Sequence, residues 1–154
     1  MSVGIKRAIL IAFGFLPLGV GFLMSHLMMT IWFYQLPPVF VLNLIGPTLL
    51  AVWTLASLTA TKFFSGKIEI LLLQNAGGLV ALVLVLIQAS LSPFWTPGII
   101  AQNFFLPLLS AAMSVIRTLT FIHSFPWQLM FIIPVLMLVL ASYLGVRIGR
   151  RLRA

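Results

Sequence analysis

Few side chains in this sequence can do chemistry, and their spacing narrows what that chemistry would be. Asp and Glu together number 1, Glu69, so paired-carboxylate catalysis and a carboxylate-rich cation site are closed to a single copy. Cysteine is absent, which removes thiolate nucleophiles, thiolate metal sites and disulfides. His26 and His123 stand far apart with no acid or cysteine at ligand spacing, so neither a metal nor another cofactor is expected. Either histidine could act as acid or base on a lipid headgroup. The plainer expectation for His26 is a hydrogen bond to a neighbouring helix. The chain has no nucleophile elbow, phosphate-binding loop or dinucleotide fingerprint.

The other candidates are amides and hydroxyls. Asn43, Pro47, Ala51, Thr54, Ser57 and Thr61 recur at spacings of three and four, which in a helix makes one polar, small-residue stripe. Such a stripe is expected to face protein, because hydroxyls and an amide in hydrocarbon seek partners. Gln74 and Asn75 belong near the opposite end of a neighbouring helix from Asn43, so the three amides are not expected to converge. Interhelical hydrogen bonding is the first reading for all of them, and lining of a transport pathway is the second.

The elements that must position these groups follow from composition. Of 154 residues, 62% are hydrophobic and 6% charged, with a mean hydropathy of +1.23. Soluble domains carry about 25% charged residues, so the solvent implied here is lipid. The expectation is a single all-α integral membrane domain over residues 1–154. It has four transmembrane helices, near residues 8–31, 39–61, 70–91 and 127–146. The first run is too long for a signal-peptide core and has no convincing cleavage site, so it reads as a retained span. Pro17 should kink it, flanked by Gly14, Gly19 and Gly21. Ala141, Gly145 and Gly149 form a small-residue row in the last span.

Residues 92–126 decide the topology. If they stay on the outer face, the chain has four spans. Then Lys6, Arg7, Lys62, Lys67, Arg147, Arg150, Arg151 and Arg153, eight of the nine basic residues, lie inside and Arg117 alone lies outside. Five spans would divide the nine five to four or four to five. The positive-inside rule therefore favours four spans with both termini cytoplasmic, in a bacterial inner membrane. Trp32, Tyr34, Trp95 and Trp127 then form an outer aromatic belt, with Trp53 and Tyr143 as exceptions. Within the outer segment, Leu108–Phe121 reads as an amphipathic helix with Ser110, Ser114, Arg117 and Thr118 on its polar arc. It would lie over the span ends, or be a re-entrant segment broken at Pro107.

Functionally, this pattern points to a non-enzymatic accessory, regulatory or structural component of a membrane transport assembly. A homo-oligomer or a complex with another membrane protein is expected. A small stand-alone transporter or channel is the alternative, and a lipid-modifying enzyme using His26 or His123 the third reading. Arg147, Arg150, Arg151 and Arg153 are candidate contacts for anionic lipids at the cytoplasmic face. His26, Arg117 and His123 are candidate polar groups on the outer face. Nucleic acid is not an expected partner, since topology accounts for the net charge of +8.

Overall fold

The computed structural model describes residues 2–34, 39–91, 96–120 and 131–153, with backbone alone for 28–34, 39–43, 89 and 110–120. These residues build six helices and no strand: α1 (Val3–Gly14), α2 (Leu16–Tyr34), α3 (Val39–Ala60), α4 (Lys67–Leu91), α5 (Thr96–Thr120) and α6 (Ile132–Arg151). Three stretches among them are long and apolar enough to cross a membrane: Val3–Leu27, Lys67–Gln88 and Ile132–Arg151. A shorter apolar stretch, Leu44–Ala60, lies in α3. Leu23, Leu55, Leu72, Leu136 and Leu140 are each more than half exposed. Such an exterior is costly in water and costs nothing among lipid tails.

The expected first span is two helices with a tight turn between them. The Ser2 hydroxyl accepts from the Ile5 amide at 3.4 Å and starts α1 at Val3, ahead of the expected Ala8, so Lys6 and Arg7 are helical. At Phe15 the hydrogen bonding tightens to i→i−3: Phe15 N–H donates to Ala12 at 3.1 Å and Leu18 N–H to Phe15 at 3.0 Å. Pro17, fully buried, has no N–H for the Phe13 carbonyl, which is the expected cause of a break here.

Two boundaries move because local chemistry extends the helices. The helix of the expected third span begins at Lys67 rather than Ile70, which places Glu69 in the first turn, where a carboxylate suits the helix dipole. The last helix runs beyond the expected Val146 to Arg151, so Arg147, Arg150 and Arg151 are helical rather than part of a free tail. Arginines in a final turn oppose the negative end of the dipole. Residues 127–130, the expected start of this span, lie outside the described residues.

The segment between the third and last spans differs most from expectation. Instead of a helix confined to Leu108–Phe121 and lying over the span ends, α5 starts at Thr96 and continues through Pro107 to Thr120. One face of its first half packs into the bundle: Ile99 and Ile100 are exposed, while Phe104, Phe105 and Leu108 are each 0% exposed. They join Trp53 and Leu49 of α3, Val85 of α4 and Val135 and Leu138 of α6 in the main apolar core. Gly98 lies against Gln88, and Gly78 lies against the Phe104 ring, so this half runs antiparallel to α4. Pro97 takes the second helical position, where a missing N–H costs nothing. Pro107 frees the Asn103 carbonyl, which lies against Gly21, where any Cβ would collide with it. The polar arc of Ser110, Ser114, Arg117 and Thr118 falls where backbone alone is described, and Phe121 lies outside the described residues.

Candidate functional site

A closed polar cluster sits in the interior where α3, α4 and α6 meet. Trp53 and Ser57 come from α3, one turn apart. Gln74 and Asn75 are adjacent on α4, and Ser142 projects from α6. All five are buried, none more than 1% exposed. Trp53 donates its indole N–H to Asn75 Oδ1 at 3.3 Å. Asn75 Nδ2 has two protons and uses them on Ser142 Oγ at 3.0 Å and the Leu71 carbonyl at 2.8 Å. Gln74 Nε2 donates to the Trp53 carbonyl at 2.9 Å. The Ser57 hydroxyl has one proton and two acceptors in reach, Gln74 Oε1 at 2.7 Å and the Trp53 carbonyl at 2.9 Å. Among the described residues, no buried side-chain nitrogen or oxygen lacks a partner.

Helices approach closely enough to make these bonds because the residues between them are small. A Cβ on Gly14 would stand 2.7 Å from the Gln74 carbonyl oxygen, and one on Gly77 would run into the Gly14 carbonyl. On the other side of α4's neighbours, the row Ala141, Gly145 and Gly149 is buried against α3. Gly145 faces the Thr54 carbonyl and Ser57, and a Cβ on Gly149 would meet Thr61 Oγ1 at 2.6 Å. This is the close packing that a small-xxx-small row permits.

The residues of the expected stripe on α3 divide by burial. Ser57 and Thr61 are buried and Thr54 is half-buried, but Pro47 and Ala51 are exposed. The inward face of α3 in that region is Gly46, Leu49 and Trp53, one position round the helix. Thr54 donates to its own Leu50 carbonyl at 2.9 Å and Thr61 to Leu58 at 2.6 Å, so neither joins the cluster. The side chain of Asn43 lies outside those described. Gln74 and Asn75 are brought together as adjacent residues must be. Their partner Ser142 had no place in the sequence reading, and Trp53 entered it only as an exception to the aromatic belt, although a mid-helix tryptophan has an N–H that must find an acceptor.

A second set of amides ties α5 to its neighbours. Gln102 Nε2 donates to Gln88 Oε1 at 2.9 Å, and Ser25 Oγ donates to Asn103 Oδ1 at 2.6 Å. His26, next to Ser25, is exposed. His123 lies outside the described residues, and the Arg117 side chain lies outside those described. Among the described residues there is no group of three metal-ligating side chains.

The charged side chains among the described residues collect at one end of the bundle. Arg7 Nε lies 2.7 Å from Glu69 Oε1. Arg150 donates to the Ser65 carbonyl and Arg153 to the Thr61 carbonyl. These are carbonyls at and beyond the end of α3, which lack intrahelical donors. Lys67 stacks over the Tyr143 ring at 4.1 Å and Lys6 over Phe63 at 5.1 Å. Arg147 and Arg151 are exposed on the last turns of α6. No family model, curated protein or solved structure matches the chain, so its own geometry is what a functional reading must rest on.

Proposed function

We propose that this chain is a non-enzymatic helical component of a bacterial inner membrane, an accessory, regulatory or structural part of a membrane transport assembly. The observation that carries the reading is the cluster of Trp53, Ser57, Gln74, Asn75 and Ser142. Its polar groups are directed at one another and at backbone carbonyls, as groups that hold helices together are. A pathway or catalytic site needs polar groups directed into a space that a substrate can enter.

Four spans with both termini cytoplasmic is the topology that goes with this reading. Its support is the gathering of Arg7, Glu69, Arg150 and Arg153 about the turn after α3, which puts both chain ends beside the same basic loop. Purification from membranes in a mild detergent is the test. The expected result is a stable oligomer or a co-eluting membrane protein; a strictly monodisperse monomer from native membranes overturns the assembly role.

A further inference from the structure

Between α1 and the second half of α3 the bundle is open at its basic end. A groove of about 280 Å³ separates the two helices, with Leu10 and Phe13 on one wall, Ala56 on the other, and Lys6 and Phe63 at its lip. Beyond the turn at Phe15 a second apolar groove of about 330 Å³ lies between Val20 of α2 and Leu49 of α3. From Lys6 to Val20 the two grooves are spread over about 20 Å of helix.

Charge at the lip selects the occupant. Glu69 is the sole acidic side chain of the sequence, and Arg7 engages it at 2.7 Å. Lys6, the preceding residue, is thereby left with no carboxylate side chain in the chain to neutralise it. Its ammonium lies 5.1 Å from the centroid of the exposed Phe63 ring, so the ring holds it at the lip. With Glu69 engaged by Arg7, no other side chain of the sequence can supply an anion beside Lys6. The groove below it is apolar along its length, with cationic character at one end only. A molecule that matches this has one anionic head and a long apolar tail.

We propose that these grooves bind an anionic phospholipid, with the phosphate beside Lys6 and an acyl chain lying between α1 and α3 and on along α2. This rests on the membrane reading above and adds a defined lipid site to it, distinct from general attraction to the exposed arginines of α6. The groove's opening along the side of the bundle lets lipid enter from the surrounding leaflet.

Native mass spectrometry of the detergent-purified full chain, with phosphatidylglycerol or phosphatidylcholine added at equal concentration, tests it. Wild type should retain phosphatidylglycerol about fivefold more than phosphatidylcholine, the effect of one lysine beside an anionic group. Lys6→Gln should abolish that preference, and Arg151→Gln should leave it intact. Ala56→Leu, which fills the groove without touching charge, should lower retention of both lipids, and Thr59→Leu at the same wall should do likewise. Equal loss of preference in Arg151→Gln, no preference in wild type, or a dimer that excludes lipid would each overturn the site. Alkaline carbonate extraction separates the two ideas: release of the chain from membranes defeats the membrane reading, whereas resistance without lipid preference defeats the site alone.

Discussion

Trp53 donates its indole N–H to the carboxamide oxygen of Asn75 at 3.3 Å, across the α3–α4 contact, with both residues almost wholly buried. The same carboxamide donates to Ser142 on α6. One side chain therefore joins three helices. Removing it strands two partners at once.

Asn75→Leu should accordingly cost more than one ordinary interhelical bond. A single such bond in a membrane protein averages about 0.6 kcal/mol, but a buried donor left unmade costs about 1–3 kcal/mol. We expect a loss of about 1–2 kcal/mol, read from the SDS-unfolding midpoint of the purified protein. Trp53→Phe should cost less, because it removes the donor and leaves only an acceptor. In a double-mutant cycle the two changes should couple by at least about 0.5 kcal/mol. Strict additivity would show that the 3.3 Å contact contributes nothing.

The glycines give a sharper contrast, because position alone separates them. Gly77→Ala drives a methyl into the Gly14 carbonyl, whereas Gly19→Ala meets nothing within 4 Å. Overpacking of this kind costs about 1–3 kcal/mol. Alanine at Gly19 should be neutral or stabilising, since helical glycine is about 1 kcal/mol worse than alanine. Thermal unfolding in detergent should rank Gly77→Ala well below wild type and Gly19→Ala at or above it. Equal effects at the two positions would mean that α1 and α4 do not approach here as described.

These contrasts also show what could be read from the sequence and what could not. The row Ala141, Gly145 and Gly149 and the hydroxyls Ser57 and Thr61 were legible, because small residues at helical spacing have one use when both solvent and core are apolar. The break near Pro17 was legible from its missing N–H. The position of α5 was not. Pro107 reads as a breaker, yet it lies inside α5, and the Asn103 carbonyl it leaves without a helical donor packs against Gly21 of α2. Trp53 was set aside as an exception to an aromatic belt. Its role depends on Asn75 and Ser142, which are distant in sequence, and periodicity within one helix carries no information about partners on another.

The ion pair between Arg7 and Glu69 invites overestimation. It is short at 2.7 Å, but its side chains are 54% and 30% exposed. Exposed pairs contribute about 0–1 kcal/mol and weaken with salt. Glu69→Gln should therefore change the unfolding midpoint by less than Asn75→Leu does, and the change should shrink further at 0.5 M salt. A loss equal to that of Asn75→Leu, unaffected by salt, would place Glu69 in a role beyond this pair.

Topology is the prediction on which the functional reading turns. Arg150 and Arg153 donate to carbonyls of the α3–α4 turn, so the end of α6 and that turn share a side whatever that side is. From the density of lysine and arginine there, the positive-inside rule predicts that this is the cytoplasmic side. Reporters fused after Ser65 and after Ala154 should both give cytoplasmic signals, and a reporter after Pro37 a periplasmic one. The fusion after Gly98 discriminates further: Gly98 lies against Gln88 near the end of α4 remote from Glu69, so its reporter should match the one after Pro37. Opposite signals from Ser65 and Ala154 would require α6 to run the other way through the bundle. The contacts of Gly145 and Gly149 with α3 could not then form, and the cluster built on Asn75 would lose its third helix.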